Sequence, residues 1–66
     1  MTLEPTFDIF KRQQDGNVVW IDCAGTLRDA IAKAKQAIVL NPVAHVIVNS
    51  RTGEKTTVTP DGHVEV

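Results

Sequence analysis

Residues 8–22, DIFKRQQDGNVVWID, decide how the rest of the chain is read, because two β-forming runs flank an Asp15-Gly16 turn signal. The loop sets the register, and a slip of one residue turns every side chain of a strand to the other face. A two-residue turn would oppose Phe10 to Ile21 and Ile9 to Asp22, mixing apolar side chains with a carboxylate. A three-residue loop with Gly16 as a left-handed bulge pairs Phe10 with Trp20, Ile9 with Ile21, Asp8 with Asp22 and Phe7 with Cys23. The second register separates an apolar face from a mixed one and is the one expected.

Residues 1–5 precede this hairpin as a lead-in ending at Pro5, which has no N–H to give a ladder. After it, Ala24-Gly25 breaks the strand and Thr26-Leu27-Arg28-Asp29 has the form of a helix start, with the Thr26 oxygen facing the first free amides. Leu27, Ala30, Ile31, Ala34, Ala37 and Ile38 recur at helical spacing, with Arg28, Asp29, Lys33, Lys35 and Gln36 on the other side. Asp29 and Lys33 form an i,i+4 pair of favourable order. The helix should end near Leu40, with Asn41 as a left-handed cap before Pro42.

Residues 43–49 and 54–59 are β-rich and flank Ser50-Arg51-Thr52-Gly53, a second hairpin. The same glycine-bulge logic pairs Val46 with Val58, Ile47 with Thr57 and Val48 with Thr56. Pro60-Asp61-Gly62 makes a further turn and leaves residues 63–66 as a short edge strand or a tail. The fold expected is α+β in the order ββαββ, one helix on one face of a four-stranded, mainly antiparallel sheet, with residues 1–66 a single domain.

The 66 residues are 42% hydrophobic and 23% charged, ordinary globular usage rather than that of a disordered chain. Seven basic and eight acidic side chains give a net charge of −1, so no global field recruits nucleic acid or an anionic membrane. The single Cys23 forms no internal disulfide, and two histidines with one cysteine make no zinc spacing. A chain with neither staple is marginal alone, which favours association with a partner or a second copy. No apolar run approaches the roughly 20 residues that span a bilayer, and MTLEPTFD lacks a signal-like apolar segment, so a cytoplasmic protein without membrane contact is expected.

The chemistry-bearing residues are sparse. Asp8 opposite Asp22 reads as a solvated carboxylate pair, since a divalent cation needs further oxygen ligands. His45 and His63 read as surface histidines, and Cys23 as a small core group without a basic neighbour to activate it. The glycines sit at turns and form no phosphate loop. No catalytic residue, metal ligand or cofactor site is assigned, and no enzyme is expected.

One helix covers one face. Phe7, Ile9, Val19, Ile21, Cys23, Ala44, Val46, Val48 and Val58 are expected beneath it, and Phe10, Trp20, Val18 and Ile47 on the far side with His45, Asn49 and Thr57. Arg12 and Lys55 rim that apolar patch, and a patch of this kind commonly marks a contact surface. The expected partner is a protein, most simply another copy of the chain. Single-stranded nucleic acid stacking on the same aromatics is the alternative, weakened by Asp8 and Asp22 on that surface.

The runs FDIFKRQQDGNVVWID, TLRDAIAKAK and NSRTGE resemble those of a group of small uncharacterised bacterial proteins with a DG hairpin, a tryptophan strand, a helix and a TGE-type hairpin. That likeness covers residues 6–55 and implies a fold but no activity. The chain also looks like HicB-type antitoxins, whose DG hairpin leads into a helix with a T-x-x-x-A start, here Thr26 and Ala30. It departs from them in carrying Asp22-Cys23-Ala24-Gly25 where they have Pro-Asp-Leu-Pro-Gly, and in having no separate DNA-binding segment. This second likeness implies a partner-binding role.

Overall fold

The computed structural model describes residues 6–66, so the expected lead-in over residues 1–5 lies outside the described part. The elements are β1 (Phe7–Arg12), β2 (Val18–Ala24), α1 (Leu27–Leu40), β3 (His45–Asn49), β4 (Lys55–Val58) and β5 (Val64–Glu65). They form one antiparallel sheet in the order β2-β1-β3-β4-β5, with α1 against it. Because β2 and β3 both run antiparallel to β1, they are parallel to each other. The 14-residue helix is the crossover that carries the chain over β1 between them.

The sheet has five strands where the sequence predicts four. The residues expected as a short edge strand or a tail form the edge strand and close a third hairpin: Thr59 N–H donates to His63 O at 2.9 Å and Gly62 N–H to Thr59 O at 2.9 Å. Asp61 Oδ1 accepts the Thr59 hydroxyl and, at 3.2 Å, the His63 amide. Gly16 and Gly62 sit at φ 90° and 88°, a region that costs a residue with a Cβ strain, so the first and third turns use glycine alike.

In the first hairpin Gln13 N–H donates to Asn17 O at 2.7 Å around a three-residue loop, and Phe10 pairs with Trp20 as expected. Beyond that row β2 carries one extra residue, Ile21, between the Phe10–Trp20 and Ile9–Asp22 pairs. The β-bulge moves the later pairings on by one, so Ile9 meets Asp22, Asp8 meets Cys23 and Phe7 meets Ala24. The expected Asp8–Asp22 and Phe7–Cys23 pairs are therefore absent, and Cys23 shares the outer face with Asp8.

The second hairpin corrects the register by one residue. Asn49 N–H donates to Glu54 O at 2.9 Å and Gly53 N–H to Asn49 O at 2.7 Å, so the loop has four residues, not three. Two devices start the turn early, one local and one long-range. The Asn49 side chain accepts the amides of Arg51 at 2.9 Å and Thr52 at 3.3 Å, and Ser50 donates both its N–H and its hydroxyl to Thr6 O. Ile47 then pairs with Ile9 and Thr56, and His45 with Lys11 and Val58. Ile47 and His45 turn inward; Val46 and Val48 turn outward.

The helix starts as its sequence requires, with Asp29 N–H donating to the Thr26 hydroxyl at 3.1 Å. Its end differs from expectation. Asn41 is extended (φ −135°, ψ 94°) rather than left-handed, because Pro42 excludes compact geometry from the residue before it, while its N–H still bonds Ala37 O at 2.9 Å. Lys33 also departs from its expected pairing with Asp29. Its Nζ lies 2.8 Å from Cys23 O and 3.6 Å from Asp22 Oδ1, tying the helix to β2.

The core is Ile9, Ile47 and Val58 on the sheet and Ala30, Ala34 and Ile38 on the helix, with Ala24 between and Phe7, Ile21, Ile31 and Val64 at its margin. Alanines on the buried stripe let the helix axis approach the sheet closely. Each large aliphatic buried there contributes on the order of 1.5–3 kcal/mol.

Candidate functional site

Pleating assigns the outer face in rows. Val18 and Arg12 lie across from Ala44; Trp20, Phe10, Val46, Thr57 and Glu65 form the central row; Cys23, Asp8, Val48 and Lys55 form the next. The helix lies on the other side of the sheet, so this face is uncovered among the described residues.

The middle of the face is a shallow groove of about 290 Å3 lined by Phe10, Arg12, Val18, Val46, Val48, Lys55 and Thr57. Its floor is apolar, and Arg12 and Lys55 bring positive charge to two sides. Trp20 stands beside it on β2, 53% exposed, with its Nε1–H donating to Asp8 Oδ1 at 3.2 Å. Val18, at the start of the same strand, is 49% exposed.

Of the six residues assigned from sequence, Phe10, Trp20, Val18, Arg12 and Lys55 lie together on this face. Ile47 does not. It is 1% exposed in the core against Ile9, a consequence of the four-residue loop after β3. Val46 and Val48, expected in the core, take the place Ile47 would have had, and only the side chain of Asn49 could have signalled the exchange.

His45 also leaves the face on which it was expected. It is fully buried on the inner side. Its Nδ1 lies 2.8 Å from Val43 O, and since a carbonyl only accepts, Nδ1 carries a hydrogen. Nε2 has no hydrogen-bond partner among the described residues.

Among the described residues no three His, Cys, Asp or Glu side chains are grouped to hold a metal ion, and no helix is long and apolar enough to cross a membrane. A smaller depression of about 100 Å3 lies on the helix side between Phe7, Leu27, Asn49 and Glu54. Ile47 and Thr56 complete its lining. No family model, curated protein or solved structure matches the chain.

Proposed function

We propose that this chain is a non-enzymatic, cytoplasmic protein-interaction module that contacts its partner through the sheet face opposite the helix. The observation that carries the reading is the exposure of Trp20 and Val18 beside the apolar groove floored by Phe10, Val46 and Val48. A solvated face of an antiparallel sheet ordinarily alternates to polar residues. Here its central row holds Trp20, Phe10 and Val46. Tryptophan and arginine are the side chains that most often anchor a protein contact, and Arg12 and Lys55 supply the polar rim. The likeness to HicB-type antitoxins favours the same role, and self-association is its simplest form for so small a chain.

Light scattering across a concentration series tests self-association. The competing use of the aromatics, stacking of single-stranded nucleic acid, is tested by titrating Trp20 fluorescence with an oligonucleotide at two salt levels. The reading expects no salt-sensitive quenching, because the Asp8 carboxylate accepts the indole N–H and puts negative charge beside the ring. Strong quenching that salt abolishes would replace it.

A further inference from the structure

We propose that the chain pairs with a second copy of itself through the free edge of β2, the two strands running antiparallel about a two-fold axis at Val19. This rests on the reading of the molecule as a protein-interaction module, names a second copy as its partner, and sets the contact at the β2 edge that borders the open face.

The direction of the main-chain groups carries the inference. Gln13 and Asn17 form the bonded pair that closes the first turn, at 2.7 Å. Bonded and non-bonded pairs alternate along an antiparallel ladder, so Lys11–Val19 is bonded while Arg12–Val18 and Phe10–Trp20 are not. Arg12 N–H accordingly donates away from β2, to Ala44 O at 3.0 Å. The N–H and C=O groups of Val18 and Trp20 therefore point out of the sheet, and among the described residues nothing hydrogen-bonds them.

Further along, the same edge is closed. Cys23 N–H donates to Asp22 Oδ1 at 2.8 Å, Cys23 O accepts Lys33 Nζ at 2.8 Å, and the bulge at Ile21 interrupts the outward alternation before them. What stays open is Val18-Val19-Trp20, with side chains 49%, 41% and 53% exposed. Exposed edges are ordinarily blocked by a charge, a proline or a bulge, and these three residues carry none.

The open segment complements itself. With Val18 opposite the partner's Trp20, both outward residues of each copy meet outward residues of the other, and each opposed pair exchanges two main-chain hydrogen bonds. An axis at Val18 would set Trp20 against the turn glycine Gly16, and one at Trp20 would set Val18 against Asp22, beyond the bulge. Only the register centred on Val19 uses every free group, which selects a second copy over an unrelated strand. The opposite edge, β5, is two residues long, too short to receive β2, so the assembly closes as a dimer rather than growing head to tail. Asp22 is the one acidic or basic residue on β2, and the axis sends its two copies to opposite ends of the joint. The paired segment is short, so the dimer is weak and concentration-dependent.

Amide exchange followed by NMR at micromolar and millimolar concentration tests this directly. As the mass doubles, protection should rise at the Val18 and Trp20 amides and stay constant at Val19, which already bonds β1. Val18→Pro removes an outward N–H without touching the β1 ladder and should abolish the doubling. Should that variant unfold, Val19→Lys puts a charge on the joint and should do the same. Val39→Lys, on the exposed side of the helix and away from both the edge and the groove, should leave the doubling intact. A doubling kept by Val18→Pro and Val19→Lys but lost in Val48→Lys, on the groove, overturns the edge proposal and leaves the interaction-module reading standing, with the contact on the sheet face. A single-chain mass at every concentration also overturns the edge proposal. Failure of the wider reading has a different signature, salt-sensitive quenching of Trp20 by an oligonucleotide.

Discussion

The indole Nε1–H of Trp20 donates to Asp8 Oδ1 at 3.2 Å across the β1–β2 ladder, so this half-exposed side chain is tied to a carboxylate two positions from its cross-strand neighbour Phe10. An interaction this exposed contributes little to stability. A double-mutant cycle of Trp20→Phe and Asp8→Ala, read by urea unfolding, should give a coupling of about 0.5 kcal/mol. A coupling above about 2 kcal/mol would mean the pair is buried in the folded state.

The register of the second hairpin makes opposite predictions for neighbouring residues. Ile47→Ala should cost about 2–5 kcal/mol, because it opens a cavity between Ile9 and the helix. Val48→Thr, one position on and facing out, should cost less than about 1 kcal/mol. Equal losses, or the reverse order, would restore the three-residue loop.

His45 and Thr56 are buried polar residues on the inner face, and His45 Nε2 has no hydrogen-bond partner among the described residues. Nε2 without a partner costs about 1–3 kcal/mol, whereas the Nδ1–H bond to Val43 O returns about 0.5–1.5 kcal/mol. His45→Leu should therefore leave stability unchanged or raise it by about 1 kcal/mol. Nitrogen chemical shifts should show the Nδ1–H tautomer; the Nε2–H form would contradict the hydrogen bond.

Asp61 links the last turn to pH. The hydrogen bond from the Thr59 hydroxyl, and then that from the His63 amide, hold its carboxyl below the ordinary value of 3.8. A carboxyl lowered by folding adds stability that is fully present above the unfolded-state value and fades as pH falls through the folded one. The melting-temperature gap between wild type and Asp61→Asn should hold steady from neutral pH to about pH 5 and close in stronger acid. A gap that persists unchanged in acid would contradict the assigned hydrogen bonds.

Local signals in the sequence decided the elements and failed where tertiary contacts chose between near-equal turns. Asp15-Gly16 fixed the first loop because glycine alone fits its left-handed position comfortably, and Thr26 fixed the helix start through its hydroxyl. The sequence around Gly53 accommodates a three- or four-residue loop equally well. Ser50 reaching back to Thr6, forty-four positions away, makes the choice together with the Asn49 side chain, which accepts the Arg51 and Thr52 amides and is the one local sign of it. That single step exchanged Ile47 for Val46 and Val48 on the candidate surface. The bulge at Ile21 was silent, since no glycine or proline marks it. Phe10, Trp20, Val18, Arg12 and Lys55 were placed correctly because their positions depend on the first turn or, for Lys55, on a residue that is polar in either register.

The measurement that bears most directly on the account is the emission of Trp20, the chain's one tryptophan, across a concentration series. Burial of the β2 edge and its face by a second copy predicts a shift to shorter wavelength and reduced quenching by acrylamide, in step with the doubling of mass. Emission that remains that of a solvated indole while the mass doubles would contradict it.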